Sequence, residues 1–401
     1  MKRLSKLDLY NWILFCIPWA AYAAMTLLLF HRQSVHYAGD YNSDITPYIA
    51  YMEGIFTGYE FPYPIMFWIG KCFRIILNPE MAMAFAVTFL NALTPPILKY
   101  YADGFIRRET AWNKVTAALS TLFTFSLLFV SMLFLGLGKD SIGWRYRGVF
   151  SPNPFHNATY LATRPFSIVC FFMLIDLLQT YEKGANKKKY ITFSLFLLLT
   201  TMAKPSFTFG FVLMTAVILL YRTCRKGFRN FKETMLLAAC AVPTFIALIY
   251  QFRNVFVGTN SLGEETGIGI GWLKAWSMQE KPIGEALLLG LAFPLTVLLF
   301  NLKNLKEEKG YRLSVQMLIT NLLMLCFLYE KGYRMNHVNF AWGYMHAMSF
   351  AYIMSLLLLF KNTQNKKQPM GVLTLQWGMY VWHLVCGIVY FGNIMAGGDF
   401  L

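Results

Sequence analysis

The segment Pro62-Tyr63-Pro64-Ile65-Met66-Phe67-Trp68-Ile69-Gly70-Lys71-Cys72-Phe73-Arg74-Ile75-Ile76-Leu77 decides how the rest of the chain is threaded. It is apolar enough to be read as a membrane crossing. Lys71 and Arg74, however, stand one helical turn apart on it, the pattern of an amphipathic helix lying in a membrane interface. Eleven further apolar runs lie near 11–30, 79–102, 113–135, 160–180, 190–203, 206–221, 234–252, 284–301, 313–329, 340–360 and 371–391. Counting 62–77 as another crossing reverses every loop that follows it.

Basic residues settle the choice. With 62–77 kept out of the membrane, tight clusters fall on one side: Lys2, Arg3 and Lys6; Arg107, Arg108 and Lys114; Lys183 and Lys187 to Lys189; Arg222 to Lys232; Lys303 to Arg312; Lys361, Lys366 and Lys367. They hold 22 of the 36 lysines and arginines, against 13 on the other side and Lys99 within a run. The alternative places the four clusters from Lys183 to Lys367 outside, against the positive-inside rule. The expectation is therefore eleven spans with the N-terminus in the cytoplasm and long segments outside: 31–78, 136–159, 253–283 and 330–339.

Composition agrees. Of 401 residues 57% are hydrophobic and 14% charged, where soluble domains carry about 25% charged residues. A cytosolic enzyme, a disulfide-stapled secreted domain and a disordered regulator are excluded. The net charge of +16 is a topology signal rather than a nucleic-acid surface. The start at Met1-Lys2-Arg3 and the Ala21-Tyr22-Ala23 tripeptide suggest a signal peptide. The apolar run continues to Phe30, which reads instead as an uncleaved first span. The seven cysteines have no metal or redox spacing, and only Cys72 falls in an outer segment, so they read as packing residues. A single all-α membrane domain over 1–401 in the cell (inner or plasma) membrane follows. No cytoplasmic segment is large enough for a nucleotide-binding domain, so the working side is expected outside.

Chemistry-bearing residues concentrate there. The first outer segment opens Gly39-Asp40-Tyr41-Asn42-Ser43-Asp44-Ile45-Thr46-Pro47, with a helix expected from Asp44 through Phe56. Ser43 or Asp44 would cap that helix. Alternatively, a carboxylate held at the membrane surface acts as general base on an acceptor hydroxyl. The second segment carries Arg145, Arg147, His156 and Asn157 and reaches Arg164 at the next span. Guanidinium groups match phosphate bidentately, though headgroup contacts would also account for Arg145 and Arg147. Lys204, in the tight Ala203-Lys204-Pro205-Ser206 connection, and Lys331, Arg334 and His337 in the last outer segment add outward cations. His346, on an apolar run, reads as a core histidine. Gly136-Leu137-Gly138-Lys139 and Gly267-Ile268-Gly269-Ile270-Gly271 lack the spacing and context of phosphate loops.

Taken in order, Asp44, Tyr48-Ile49, Gly54, Tyr63-Pro64 and Trp68-Ile69 resemble the first outer loop of the bacterial aminoarabinose and protein O-mannosyl transferase group, within the GT-C class of integral membrane glycosyltransferases. The stretches 151–159 and 203–206 are similar to those of small bacterial multi-span proteins of that class. The likeness covers about 31–210 in motif and the whole chain in topology. It implies transfer of a sugar from a polyprenyl-phosphate carrier to an extracytoplasmic hydroxyl of a cell-envelope glycan or lipid, with inversion. Asp44 or Asp40 would be the base. Arg145, Arg147, His156, Asn157, Arg164, Lys204, Lys331, Arg334 and His337 would hold the donor phosphate or sugar. A divalent cation, magnesium or manganese, is compatible with such a site. Ile45 stands where many members have a second acidic residue, which leaves open which aspartate is the base. The rival expectations are a polysaccharide polymerase or ligase using the same donors, a lipid or sugar flippase, and a membrane acyltransferase.

Overall fold

The computed structural model describes residues 6–35, 40–55, 60–134, 146–256, 266–279 and 282–398, without the side chains of Tyr146 and Arg147. Its elements are nearly all helical. In order they are α1 (Lys6–Ser34), α2 (Ile45–Met52), α3 (Ile65–Arg74), α4 (Pro79–Ala92), α5 (Thr94–Glu109), α6 (Lys114–Leu127), α7 (Tyr146–Val149), α8 (Ala158–Thr180) and α9 (Lys187–Ala203). Then come α10 (Ser206–Arg225), α11 (Phe231–Ala239), α12 (Val242–Phe256), α13 (Ile283–Phe300), α14 (Asn304–Glu307), α15 (Lys309–Phe327), α16 (Ala341–Gln364) and α17 (Met370–Met395). The strands β1 (Ile268–Ile270) and β2 (Leu328–Glu330) pair antiparallel.

Among the described residues, eight helical stretches are long and apolar enough to cross a membrane, and the pair α11–α12, bent by 46°, would make nine. The expected runs at 113–135 and 190–203 form shorter helices, α6 of 14 residues and α9 of 17. At 1.5 Å per residue the 29-residue α1 spans about 43 Å, whereas the 10-residue α3 spans about 15 Å, half a hydrocarbon core. α3 is amphipathic: Ile65, Met66, Phe67 and Gly70 are buried, Trp68 and Lys71 exposed. Its neighbour α2 is shorter than expected. Gly54, with φ +80°, turns the chain just after the C-cap Glu53, and Phe56 lies outside the described residues.

Several helix starts follow from their capping residues. Asn78 accepts from the Met81 N–H ahead of Pro79, and Asn113 forms a capping box with Thr116. Asn157 and Asn186 cap α8 and α9. α16 is the central pillar, buried over almost its whole length.

Two contact networks define the ends of the bundle. At one end lie the basic clusters: Arg107 pairs with Asp8, Lys361 with Glu109 (2.8 Å) and Glu308 (2.9 Å), Lys189 with Asp176, and Lys226 with Glu182. At the other end Arg74 pairs with Glu53 (3.0 Å), Arg334 with Glu330 (2.8 Å), and Arg32 donates to the Met395 carbonyl.

One expected outer segment is not a solvated loop. Residues 150–157 are non-helical and buried, and they lie with 130–134 inside the bundle. Ser131 N–H donates to the His383 carbonyl, Leu133 N–H to the Leu289 carbonyl, and Asn153 Nδ2 to the Leu127 and Val130 carbonyls. Irregular backbone at such depth is tolerated only when protein satisfies its polar groups, as here. Gly387 permits the close approach: a Cβ there would meet the Phe129 carbonyl oxygen at 1.6 Å. All seven cysteines are free thiols, four of them buried.

Candidate functional site

Asp44 is the N-cap residue of α2, yet its side chain makes no capping bond. Ser43 takes that role, its Oγ accepting from the Ile45 N–H at 3.2 Å. The Asp44 N–H donates to the His156 carbonyl at 3.1 Å, which ties the start of α2 to the segment before α8. The freed carboxylate accepts a hydrogen bond from Asn157 Nδ2.

Asn157 is the hinge of the cluster. Its Oδ1 caps α8 through the Tyr160 N–H (2.8 Å) and also accepts from Thr159 Oγ1 (3.0 Å) and Lys204 Nζ (2.8 Å). Lys204 sits at the C-cap of α9 with its own N–H on the Thr200 carbonyl. Its ammonium, 8% exposed as a residue, also donates to Thr159 Oγ1 at 3.1 Å and lies 4.2 Å from the Trp342 ring centroid. Tyr48, one turn along α2 from Asp44, shares a hydrogen bond with Thr159. Tyr63 lies in the fields of both Asp44 and Arg334, which joins this cluster to the Arg334–Glu330 pair. Trp342 also packs 5.9 Å from His156.

The electrostatics follow from burial. Burial raises the pKa of the partly exposed Asp44, and Lys204 and Asn157 oppose the rise without cancelling it. Burial lowers Lys204 to about 7 against the attraction of Asp44. Burial and then Lys204 hold His156 down at about 3, so its ring is neutral at pH 7. A carboxylate of raised basicity thus faces an ammonium of raised acidity across one amide. Such a carboxylate is suited to accept a proton.

The expected site residues divide. Asp44, Asn157 and Lys204 form one cluster, with His156 bonded to Asp44 through its backbone and Arg334 one tyrosine away. Asp40 is exposed and has no hydrogen bond or ion pair among the described residues, so it neither orients Asp44 nor joins the cluster. Arg164 is 5% exposed and stands apart: it donates to Asn153, to Tyr22 (3.2 Å) and to Asn91 (2.9 Å), not to the Asp44 group. Lys331 is tied to Gly267 through its backbone, and His337 stacks edge-on against Tyr333. Arg145 lies outside the described residues, as does the side chain of Arg147.

Sequence reasoning read Tyr48 and Tyr63 only as motif residues and gave neither them nor Thr159 and Trp342 a role at the site. Two signals were available: Tyr48 falls four residues after Asp44 on one helical face, and Thr159 follows the capping Asn157 by two.

No group of three His, Cys, Asp or Glu side chains able to hold a metal occurs among the described residues. The donor set at Asp44 also fits a divalent cation poorly, because Lys204 already brings a positive charge beside the lone carboxylate. Comparison with protein-family models, with curated proteins and with solved structures returned no match.

Proposed function

We propose that the protein is a multi-pass membrane glycosyltransferase of GT-C type. In this reading it takes a sugar from a polyprenyl-phosphate carrier and delivers it to a hydroxyl of a cell-envelope glycan or lipid. The observation that carries the reading is the Asp44–Asn157–Lys204 cluster. Three sequence-distant segments meet there around one recessed carboxylate. The two separate end networks support eleven passes, with the basic clusters cytoplasmic and Asp44 at the outer face of the cell membrane.

In this reading Asp44 accepts the proton of the acceptor hydroxyl as its oxygen attacks the anomeric carbon. The bond from that carbon to the phosphate oxygen breaks on the opposite face, and the phosphate leaves with the electron pair. The anomeric centre is inverted. Lys204 and Asn157 oppose the rise that burial imposes on Asp44, and Asn157 positions its carboxylate. Arg334, beyond Tyr63, is the cation for the phosphate, where charge develops in the transition state. No step is routed through a metal.

The test is turnover of decaprenyl-phosphate-linked mannose, glucose and 4-aminoarabinose by the purified chain in vesicles supplied with a cell-envelope glycan and lipid extract as acceptor, read as released decaprenyl phosphate. The wild type should release it from at least one donor, and Asp44→Asn should lose it while keeping its thermal unfolding midpoint. Equal turnover in the two proteins would remove Asp44 as base. Turnover of none of the donors, with no polyprenyl phosphate retained on native mass spectrometry, would remove the glycosyltransferase reading.

A further inference from the structure

At the basic end of the bundle, where a short turn joins α16 to α17, an open groove of about 670 Å3 runs down one stripe of α17. Met370, Leu373, Trp377 and Val381 line it at helical spacing, with Gly378 among them. The eleven steps from Met370 to Val381 cover about 16 Å, half of a hydrocarbon core of about 30 Å. The groove therefore has the reach of one membrane leaflet. Its wall is apolar over that length, and Met370 and Val381 stand 76% and 50% exposed. Gly378 keeps it open: a Cβ built there would meet nothing within 4 Å. A larger side chain at that position would fill the groove without displacing protein.

The mouth of the groove is polar and positive. Thr363, Lys366 and Gln368 line that end. Two of them are already bonded to protein. Thr363 Oγ1 accepts from Trp377 Nε1 at 3.0 Å, and Gln368 Nε2 donates to the Phe300 carbonyl (3.0 Å) and Asn301 Oδ1 (3.1 Å), which fastens the turn to the end of α13. Lys366 is different. Its backbone is left-handed, with φ +49°, and its exposed ammonium has neither a hydrogen bond nor an ion pair among the described residues. The ammonium of Lys367 is exposed and unpaired in the same way. No carboxylate is among the described residues that line the groove. A zwitterionic lipid brings no net charge to such a mouth, and a soluble anion leaves the apolar length unfilled. An anionic lipid answers both ends, because lysines at a membrane boundary attract anionic headgroups.

We infer that this groove binds an anionic glycerophospholipid of the leaflet at the basic end of the bundle, with an acyl chain along Leu373, Trp377 and Val381 and the phosphate at Lys366 and Lys367. The site lies at the opposite end of the bundle from the Asp44 cluster. It rests neither on the glycosyltransferase reading nor on which side of the membrane the basic end faces.

The experiment is native mass spectrometry of the full chain in detergent, titrated with dioleoylphosphatidylglycerol or dioleoylphosphatidylcholine. The wild type should bind the first phosphatidylglycerol more tightly than the first phosphatidylcholine. Lys366→Gln should weaken phosphatidylglycerol about fivefold and leave phosphatidylcholine unchanged. Gly378→Phe, which fills the groove from an exposed helix face, should remove the tight phosphatidylglycerol while the thermal unfolding midpoint of the lipid-free chain stays that of the wild type. Equal binding of the two lipids by the wild type would overturn the inference. So would a preference that survives Gly378→Phe, which would put the lipid on the surface lysines alone, or one that survives Lys366→Gln and its double variant with Lys367→Gln, which would leave the groove a site for any acyl chain. Displacement of the bound phosphatidylglycerol by decaprenyl phosphate would make the groove a carrier site instead, and a dimer lost in Gly378→Phe would give it to a second copy of the chain.

Discussion

Replacing Lys204 by methionine should change how stability depends on pH, and the size of the change can be worked out. Lys204 is 8% exposed, and burial lowers its pKa from 10.5 to about 7. Between those values the unfolded chain holds a proton on this lysine that the folded chain does not, so stability rises with pH. The slope is about 1.4 kcal/mol per pH unit. Across the whole window that is a ceiling of about 5 kcal/mol, present in full above pH 10.5 and lost as pH falls to 7. Methionine keeps the length of the aliphatic stem and its packing on Trp342 but carries no proton. Reversible unfolding in mixed micelles of mild detergent and dodecyl sulfate, followed by tryptophan fluorescence from pH 7.5 to 9.5, measures the difference. The wild type should gain up to about 3 kcal/mol relative to Lys204→Met over those two units. Parallel lines for the two proteins would refute the claim that Lys204 is buried beside a single compensating carboxylate.

Other consequences are open to direct measurement. Asn157→Ala removes the α8 cap and the amide between Asp44 and Lys204. Stability should fall by about 2–4 kcal/mol, more than the cap alone, and donor turnover should fall as well. Asp40→Asn should leave stability and turnover within twofold of the wild type, since Asp40 is exposed and contacts nothing in the cluster; a tenfold loss of turnover would return it to the site. Gly387→Val should abolish folding, measured as loss of a monodisperse peak in detergent chromatography, because its Cβ would overlap the Phe129 carbonyl.

Much of the architecture was legible because membrane helices advertise themselves by length and apolarity. The reading of 62–77 as an interfacial helix rested on two charges one turn apart and on the alternation of basic clusters. The helix there, α3, is 10 residues long and buried on one side. Three of the segments singled out by polar density meet, at Asp44, Asn157 and Lys204, while Arg334 pairs with Glu330 and reaches the group only through Tyr63.

What stayed hidden was depth. The stretch 151–157 is rich in Pro, Asn and Ser and reads as a surface loop. Asn153 and Ser151 instead satisfy the backbone and side chains of 127–131 within the bundle. Arg164 could not be separated from Lys204 by composition, because both are cations near helix ends. Their partners, three neutral groups for one and an amide beside a carboxylate for the other, come from other segments, the non-helical 150–157 among them. Nor could sequence choose between capping and chemistry for Asp44. That turned on Ser43 reaching the Ile45 N–H first.

The most direct test of the account is a density map of the full chain in nanodiscs with decaprenyl phosphate added. The lipid phosphate should lie against Arg334, on the side of Tyr63 away from Lys204, with the first isoprene units along the bundle surface and Asp44 within reach of the space between. A phosphate bound at the basic end, near Lys361 and Lys189, or an Asp44 carboxylate turned away from Asn157 and Lys204, would contradict it.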